Sequence, residues 1–140
     1  MQTSSSQPLR HLLAVDDLST ESLQTLFTLA DQYKDTPFQN TLKNKSICSV
    51  FFEPSTRTFC SFSLAAQRLG ASVVTFTESV SSTSKGESLI DTIDTLTAMQ
   101  FDALVIRHQN DTTADQLAEH CGDKIAIINA GTGICHHPSQ

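Results

Sequence analysis

Ser55, Thr56, Arg57 and Thr58 stand in succession within FFEPSTRTF, residues 51–59. Three hydroxyls and a guanidinium follow an apolar run, and Pro54 stiffens the turn just where a helical pattern begins. Donors this dense at a strand-to-helix junction suit an anion. The first N–H groups of a helix lack partners, the helix dipole favours negative charge there, and an arginine fork adds charge-assisted bonds. Each hydrogen bond to a charged partner contributes roughly 1.5–3 kcal/mol, so a few of them hold a phosphate dianion. The turn is neither G-x-x-x-x-G-K-[ST] nor G-x-G-x-x-G, which disfavours a nucleotide site.

More such residues follow other apolar runs. Ser81, Ser82 and Lys85 lie in the loop after 71–76, Arg107 and His108 end 103–108, and His136, His137 and Gln140 follow 124–130. Three of the nine Lys and Arg residues, Arg57, Lys85 and Arg107, belong to this set. Taken singly, Ser55 fits a helix cap, Arg57 a solvated surface residue, and Lys85-Gly86-Glu87 an exposed turn. Arg107 is harder to dismiss, because a charge ending an apolar strand needs a partner. Cys135, His136 and His137 are adjacent, a poor spacing for one tetrahedral ion, so no metal is expected.

The elements that must position these groups follow from periodicity. Leu23, Leu26, Phe27 and Ala30 give one apolar helical face, with Ser19 or Thr20 as cap. The polar segment 34–45, with Pro37, is a loop before a buried strand at 46–52. Phe59, Phe62, Ala66 and Leu69 mark a helix that Gly70 ends. Strand 71–76, loop 78–88, a helix on Leu89, Ile90, Ile93 and Leu96, strand 103–108, helix 112–121 and strand 124–130 complete the order. Strands alternating with helices predict an α/β fold: a parallel β-sheet flanked by helices on both faces, its strands apolar throughout. Ligands of such sheets collect outside the carboxyl ends of the strands, where all four donor groups fall.

Length and charge narrow the function. The 140 residues suit one domain, expected over 9–140 behind a flexible tail at 1–8. A net charge of −6 gives no broad basic face for nucleic acid, while a local positive site remains possible. No signal-peptide core and no run long enough for a bilayer is present, so no membrane partner is expected. Cys48, Cys60, Cys121 and Cys135 form no C-x-x-C pair and read as reduced thiols, with Cys48 and Cys60 in the core, which fits a cytoplasmic protein.

FFEPSTRT (51–58), RLGASVV (68–74), SSTSKGESLIDT (81–92), VIRH (105–108) and NAGTGICHHPSQ (129–140) together resemble the carbamoyl-phosphate half of the aspartate carbamoyltransferases, in the family's order and over essentially the whole chain. STRT and HP-x-Q are shared with the ornithine carbamoyltransferases; FFEPSTRT and the KGESL-x-DT loop are similar to the aspartate branch. The resemblance implies a transferase of de novo pyrimidine synthesis that moves the carbamoyl group from carbamoyl phosphate to L-aspartate, without cofactor. Ser55, Thr56, Arg57 and Thr58 would bind the phosphate, with Arg107 assisting. Thr58, Arg107 and His137 would donate to the carbonyl oxygen, and Gln140 would hold the carbamoyl amide. Ser81 and Lys85 would reach a neighbouring subunit's site in a homotrimer.

The pattern departs from the family at Phe59 (usually arginine), Ser63 (often glutamate), Gln109 (usually proline), Thr132 (usually aspartate) and Ser139 (threonine). The resemblance stops at Gln140, before the expected aspartate-binding domain, so the chain alone is expected to be inactive. Two other readings stay open: a non-catalytic binding or assembly module derived from the enzyme, and the ornithine branch.

Overall fold

The computed structural model describes residues 9–36, 39–77, 86–134 and 137–140. Four parallel strands form its sheet: β1 (Ser46–Phe51), β2 (Ser72–Thr77), β3 (Ala103–His108) and β4 (Ala126–Thr132), in the order β2-β1-β3-β4. The helices are α1 (Thr20–Asp35), α2 (Thr56–Arg68), α3 (Leu89–Ala98) and α4 (Thr113–Cys121). Leu12 adds one parallel bridge outside β4, its N–H donating to the Ile127 carbonyl and its carbonyl accepting from Asn129.

Alternation along β1 and β3 divides the core. Cys48, Val50, Leu104 and Ile106 face α3 and α4, meeting Ile93, Leu96, Leu117 and Ala118. Ile47, Phe51, Ala103 and Val105 face α2, meeting Ala66 and the half-buried Phe59 and Phe62. Because β1 leads to β2 on one side while β3 pairs on its other, the strand order reverses between β1 and β3. That reversal opens a crevice at the strands' carboxyl ends, where open α/β sheets take ligands.

The helix ends obey local chemistry. Ser19 caps α1 by accepting from Ser22 N–H at 3.1 Å, and Ser88 and Asp91 cap α3 reciprocally. Gly70, at φ +89°, ends α2 as expected.

Four expectations need correction. The first helix runs on to Asp35, and its apolar face is open: Leu26 is 45% and Phe27 67% exposed, and no α1 residue is buried. β2 is an edge strand whose Val74 is 48% exposed, because α3 packs over β1 and β3. β4 starts and ends two residues later than 124–130, since Gly122–Lys124 forms a 3-10 turn. Cys60 points outward from α2, one position off the Phe59–Phe62–Ala66 face, whereas Cys48 and Cys121 are buried; all three are free thiols. The predicted tail at 1–8, Pro37, Cys135 and most of the serine-rich loop lie outside the described residues.

Candidate functional site

β1 delivers the chain to the crevice through Phe52, whose N–H donates to the Arg107 carbonyl at 2.9 Å and so holds the FFEP turn against the end of β3. Ser55 occupies the N-cap position of α2, yet its side chain makes no capping hydrogen bond. The capping interpretation of Ser55 therefore does not hold, and the hydroxyl remains available to the crevice. Thr58, in the first turn of the helix, is buried. Arg57 is exposed.

These groups meet the ends of β3 and β4 around a hollow of about 320 Å³, lined by Ser55, Arg57, Thr58, Arg107, His137 and Gln140 and floored by Gly131 and Gly133. Six of the nine expected site residues thus converge, although Arg57 and Thr58 lie on one helix and His137 far along the chain. Thr56 does not line this hollow; with Phe51, Phe52 and Phe59 it borders an adjoining aromatic-walled recess of about 510 Å³. Ser81 and Lys85 lie outside the described residues, as does His136.

Polar contacts orient the cavity walls. The Arg107 Nη1 donates to the Ala130 carbonyl at 3.1 Å, and its Nε, buried and without a hydrogen bond, stands 3.9 Å from Glu53 Oε2. Glu53 was missed by sequence reasoning, although it sits within FFEPSTRT. Its carboxylate is the one negative group set against the Arg107 guanidinium among the described ion pairs.

His137 Nε2 lies 3.4 Å from Thr58 Oγ1, and its Nδ1 lies 3.1 Å from Ser139 Oγ. Burial, and next the charge of Arg107, hold the His137 imidazole below its usual proton affinity. Near neutrality it is therefore uncharged, and can donate from one ring nitrogen while accepting at the other. His108, the other histidine of this rim, is occupied structurally: its Nδ1 accepts from Asn110 N–H at 3.0 Å, and its ring meets the Phe52 ring edge-on at 5.2 Å.

Of the departures from the expected pattern, Phe59, Ser63 and Thr132 bear on local packing, while Ser139 meets His137. Phe59 stacks edge-to-face on Phe51, centroids 5.6 Å apart, while Ser63 Oγ is buried without a partner. Thr132 is fully buried; its hydroxyl accepts from Asn129 Nδ2 at 3.0 Å and donates to the Asp111 carbonyl at 3.4 Å. Gln109 is exposed beyond β3.

A doubly wound parallel sheet with hydroxyls, two guanidinia and a neutral imidazole at its switch point makes an α/β domain whose hollow is chemically suited to an anion. Residues 10–140 match the family described as aspartate/ornithine carbamoyltransferase, carbamoyl-P binding domain, and the chain belongs to it. It is 45% identical to the aspartate carbamoyltransferase catalytic subunit of Xanthomonas campestris pv. campestris, over the whole of this chain and 46% of that relative. The chain thus spans about half the length of the curated relatives it matches.

Among solved structures, aspartate transcarbamoylase from Trypanosoma cruzi, in complex with carbamoyl aspartate and phosphate, superposes with a TM-score of 0.85 at 35% identity, covering 93% of this chain and 41% of that one. Ornithine carbamoyltransferase from Gloeobacter violaceus gives 0.72 at 34% identity, covering 89% and 39%.

Proposed function

We propose that this chain is the carbamoyl-phosphate-binding half of an aspartate carbamoyltransferase, an enzyme of pyrimidine biosynthesis that carbamoylates L-aspartate. The observation that carries the reading is the convergence of Ser55, Arg57, Thr58, Arg107, His137 and Gln140 on one hollow at the carboxyl end of the sheet. Closer likeness to aspartate than to ornithine carbamoyltransferase structures supports the aspartate branch.

On this reading, the α2 N-terminus with Ser55, Thr56, Arg57 and Thr58 takes the phosphate, with Arg107 assisting. Thr58, Arg107 and a neutral His137 donate to the carbonyl oxygen, and Gln140 holds the amide. The acceptor amine attacks the carbonyl carbon, a C–N bond forms, and charge builds on the oxygen facing those donors. The bond from carbon to the phosphate oxygen then breaks. The proton lost by the amine leaves on the released phosphate, which is basic as it departs. A fixed donor at such an oxygen is worth about 10²–10³ in rate where comparable holes have been tested, and holding both substrates in register supplies much of the rest. The groups that hold aspartate would come from the part of the relatives' length that these 140 residues do not span, and Ser81 and Lys85 would serve a neighbouring subunit of a cytoplasmic homotrimer. The chain alone would bind carbamoyl phosphate without turning it over.

Thermal unfolding with and without carbamoyl phosphate tests this, with Arg57→Ala as control. Ligand at 100 times its dissociation constant adds about 2.7 kcal/mol. A rise in melting temperature that the substitution abolishes is expected. No rise in a cooperatively melting wild type, or an equal rise in the variant, overturns the reading.

A further inference from the structure

The register of β3 against β4 slips at the edge of the site. Ile106 pairs with Asn129 and His108 with Thr132, so two steps along β3 meet three along β4. The extra residue of this bulge falls at Ala130–Gly131. Bulges beside active sites re-aim the groups around them, and here the consequence is direct. The Ala130 carbonyl accepts from Arg107 Nη1 at 3.1 Å. Gly131, at φ +113°, lies so close beneath Arg107 and His137 that a Cβ there would collide with Arg107 Nη1 and stand 3.2 Å from His137 Cδ2. The bulge is thus the ledge on which both side chains rest.

One side chain holds that ledge. Asn129, 2% exposed, does not line the hollow. Its Oδ1 accepts from Gly131 N–H at 2.9 Å, and its Nδ2 donates to the Leu13 carbonyl at 2.9 Å and to Thr132 Oγ1 at 3.0 Å. The set demands one acceptor and two donors from a single short side chain, which a carboxamide supplies and neither a carboxylate nor an alkyl group does. Thr132 passes the link on to the Asp111 carbonyl, and Leu13 ties it to the amino-terminal segment.

Resting on the anion-binding reading above, we propose that Asn129 is a positioning residue, whose amide clamps the β4 bulge and so aligns Arg107 and His137 toward the bound carbamoyl phosphate. It acts through Arg107 and touches no ligand itself. A merely structural amide would lower stability and leave the affinity of the folded molecules unchanged.

A double-mutant cycle on the full chain separates the two roles. Carbamoyl phosphate is titrated calorimetrically into wild type, Asn129→Ala, Arg107→Ala and the pair, at a temperature where each is folded. Residues in one hydrogen-bonded network depart from additivity, so Asn129→Ala is expected to weaken binding about tenfold when Arg107 is present and less than about twofold in the Arg107→Ala background. Asn129→Asp keeps an acceptor for Gly131 N–H but loses both donors and sets a carboxylate against the Leu13 carbonyl, so it is not expected to restore the lost affinity. Equal losses in both backgrounds, or no loss, overturn the proposal. If Asn129→Ala does not fold, Thr132→Val removes the hydroxyl that receives Nδ2, and the same dependence on Arg107 is expected.

Failure of wild type to bind carbamoyl phosphate would defeat the anion-binding reading and leave the clamp to be judged in the free protein. There the His137 ring, which faces Arg107, Thr58 Oγ1 and Ser139 Oγ, is titrated by NMR. Its proton affinity should rise in Asn129→Ala, and Asn129→Ala should add little once Arg107 is already alanine. An unchanged titration in Asn129→Ala, or full additivity with Arg107→Ala, refutes the clamp.

Discussion

Thr58 Oγ1 and His137 Nε2 lie 3.4 Å apart across 79 residues of sequence, so the first turn of α2 and the far end of the chain share one polar contact. Neither side chain reaches the other unless β1 and β3 are paired and β4 ends beside them. The contact is therefore a property of the whole sheet, and a sensitive report on its integrity.

His137 gives that contact a pH dependence. Its folded-state proton affinity is lowered, first by burial and then by Arg107. The unfolded chain consequently binds the proton more readily over the window just below the ordinary imidazole value of about 6.5. Stability contributed by neutral His137 is complete above that value and is lost as pH falls through it toward the folded value. His11, also lowered mainly by burial, acts in the same direction. Urea unfolding at pH 7.5 and pH 5.5 should show lower stability at the acidic value, and a smaller difference in His137→Asn. A wild type more stable at pH 5.5 would contradict the sign.

Arg107 is expected to act through its shape as well as its charge. Its Nη1 is fixed on the Ala130 carbonyl, while the rest of the fork faces Glu53 and the hollow. Arg107→Lys keeps the charge and loses the planar fork. With 1.5–3 kcal/mol for a hydrogen bond to a charged group, Arg107→Ala should weaken carbamoyl phosphate binding roughly 10- to 150-fold, and Arg107→Lys should recover only part. Calorimetric titration of the three proteins reads this; full recovery by lysine would mean that charge alone matters.

Much of the site was legible because its residue types are costly elsewhere. Four donors in a row after Phe51-Phe52, and an arginine closing an apolar strand, both demand a partner that sequence alone can anticipate. The parallel sheet was legible for a similar reason, since strands such as Leu104–Ile106 are apolar on both faces. Other features were not. Periodicity in α1 reveals that Leu23, Leu26 and Phe27 share a face, but not whether anything covers it. Ile125 extends the apolar run of β4 and masks the 3-10 turn before it. The outward position of Cys60 was available from helical phase, one residue from Phe59, and was obscured by treating cysteine as a core residue by type. The role of Asn129 depends on a register slip between strands, which no local pattern records.

The helices predict contrasting responses to truncation. Leu117 on α4 is completely buried between the sheet and α3, so Leu117→Ala should cost about 2–5 kcal/mol. Phe27 on α1 is 67% exposed, so Phe27→Ser should change stability by about 0.5 kcal/mol or less. With Leu26 and Leu29 also exposed beside it, the same substitution should reduce self-association at high concentration. Denaturant unfolding and light scattering measure the two effects. A large loss of stability in Phe27→Ser would mean that α1 packs more tightly than its exposure indicates.

The thiols provide a clock for the opening of the sheet. Cys48 sits in the middle of β1, 1% exposed, and burial pushes its pKa up to about 11. Cys121 is raised as well, again chiefly by burial. Thiolate is the reactive form, so at pH 8 only about 0.1% of Cys48 would be competent even if a reagent reached it. Cys60 on the outer side of α2 meets solvent directly. Alkylation followed by peptide mass mapping should modify Cys60 first, with Cys48 and Cys121 lagging by orders of magnitude and labelling together when the core opens. Carbamoyl phosphate should slow the Cys48 reaction, because ligand bound at the end of β1 stabilises the closed sheet by mass action. Cys48 reacting as fast as Cys60 in the native protein would show that β1 is not held at the centre of the core.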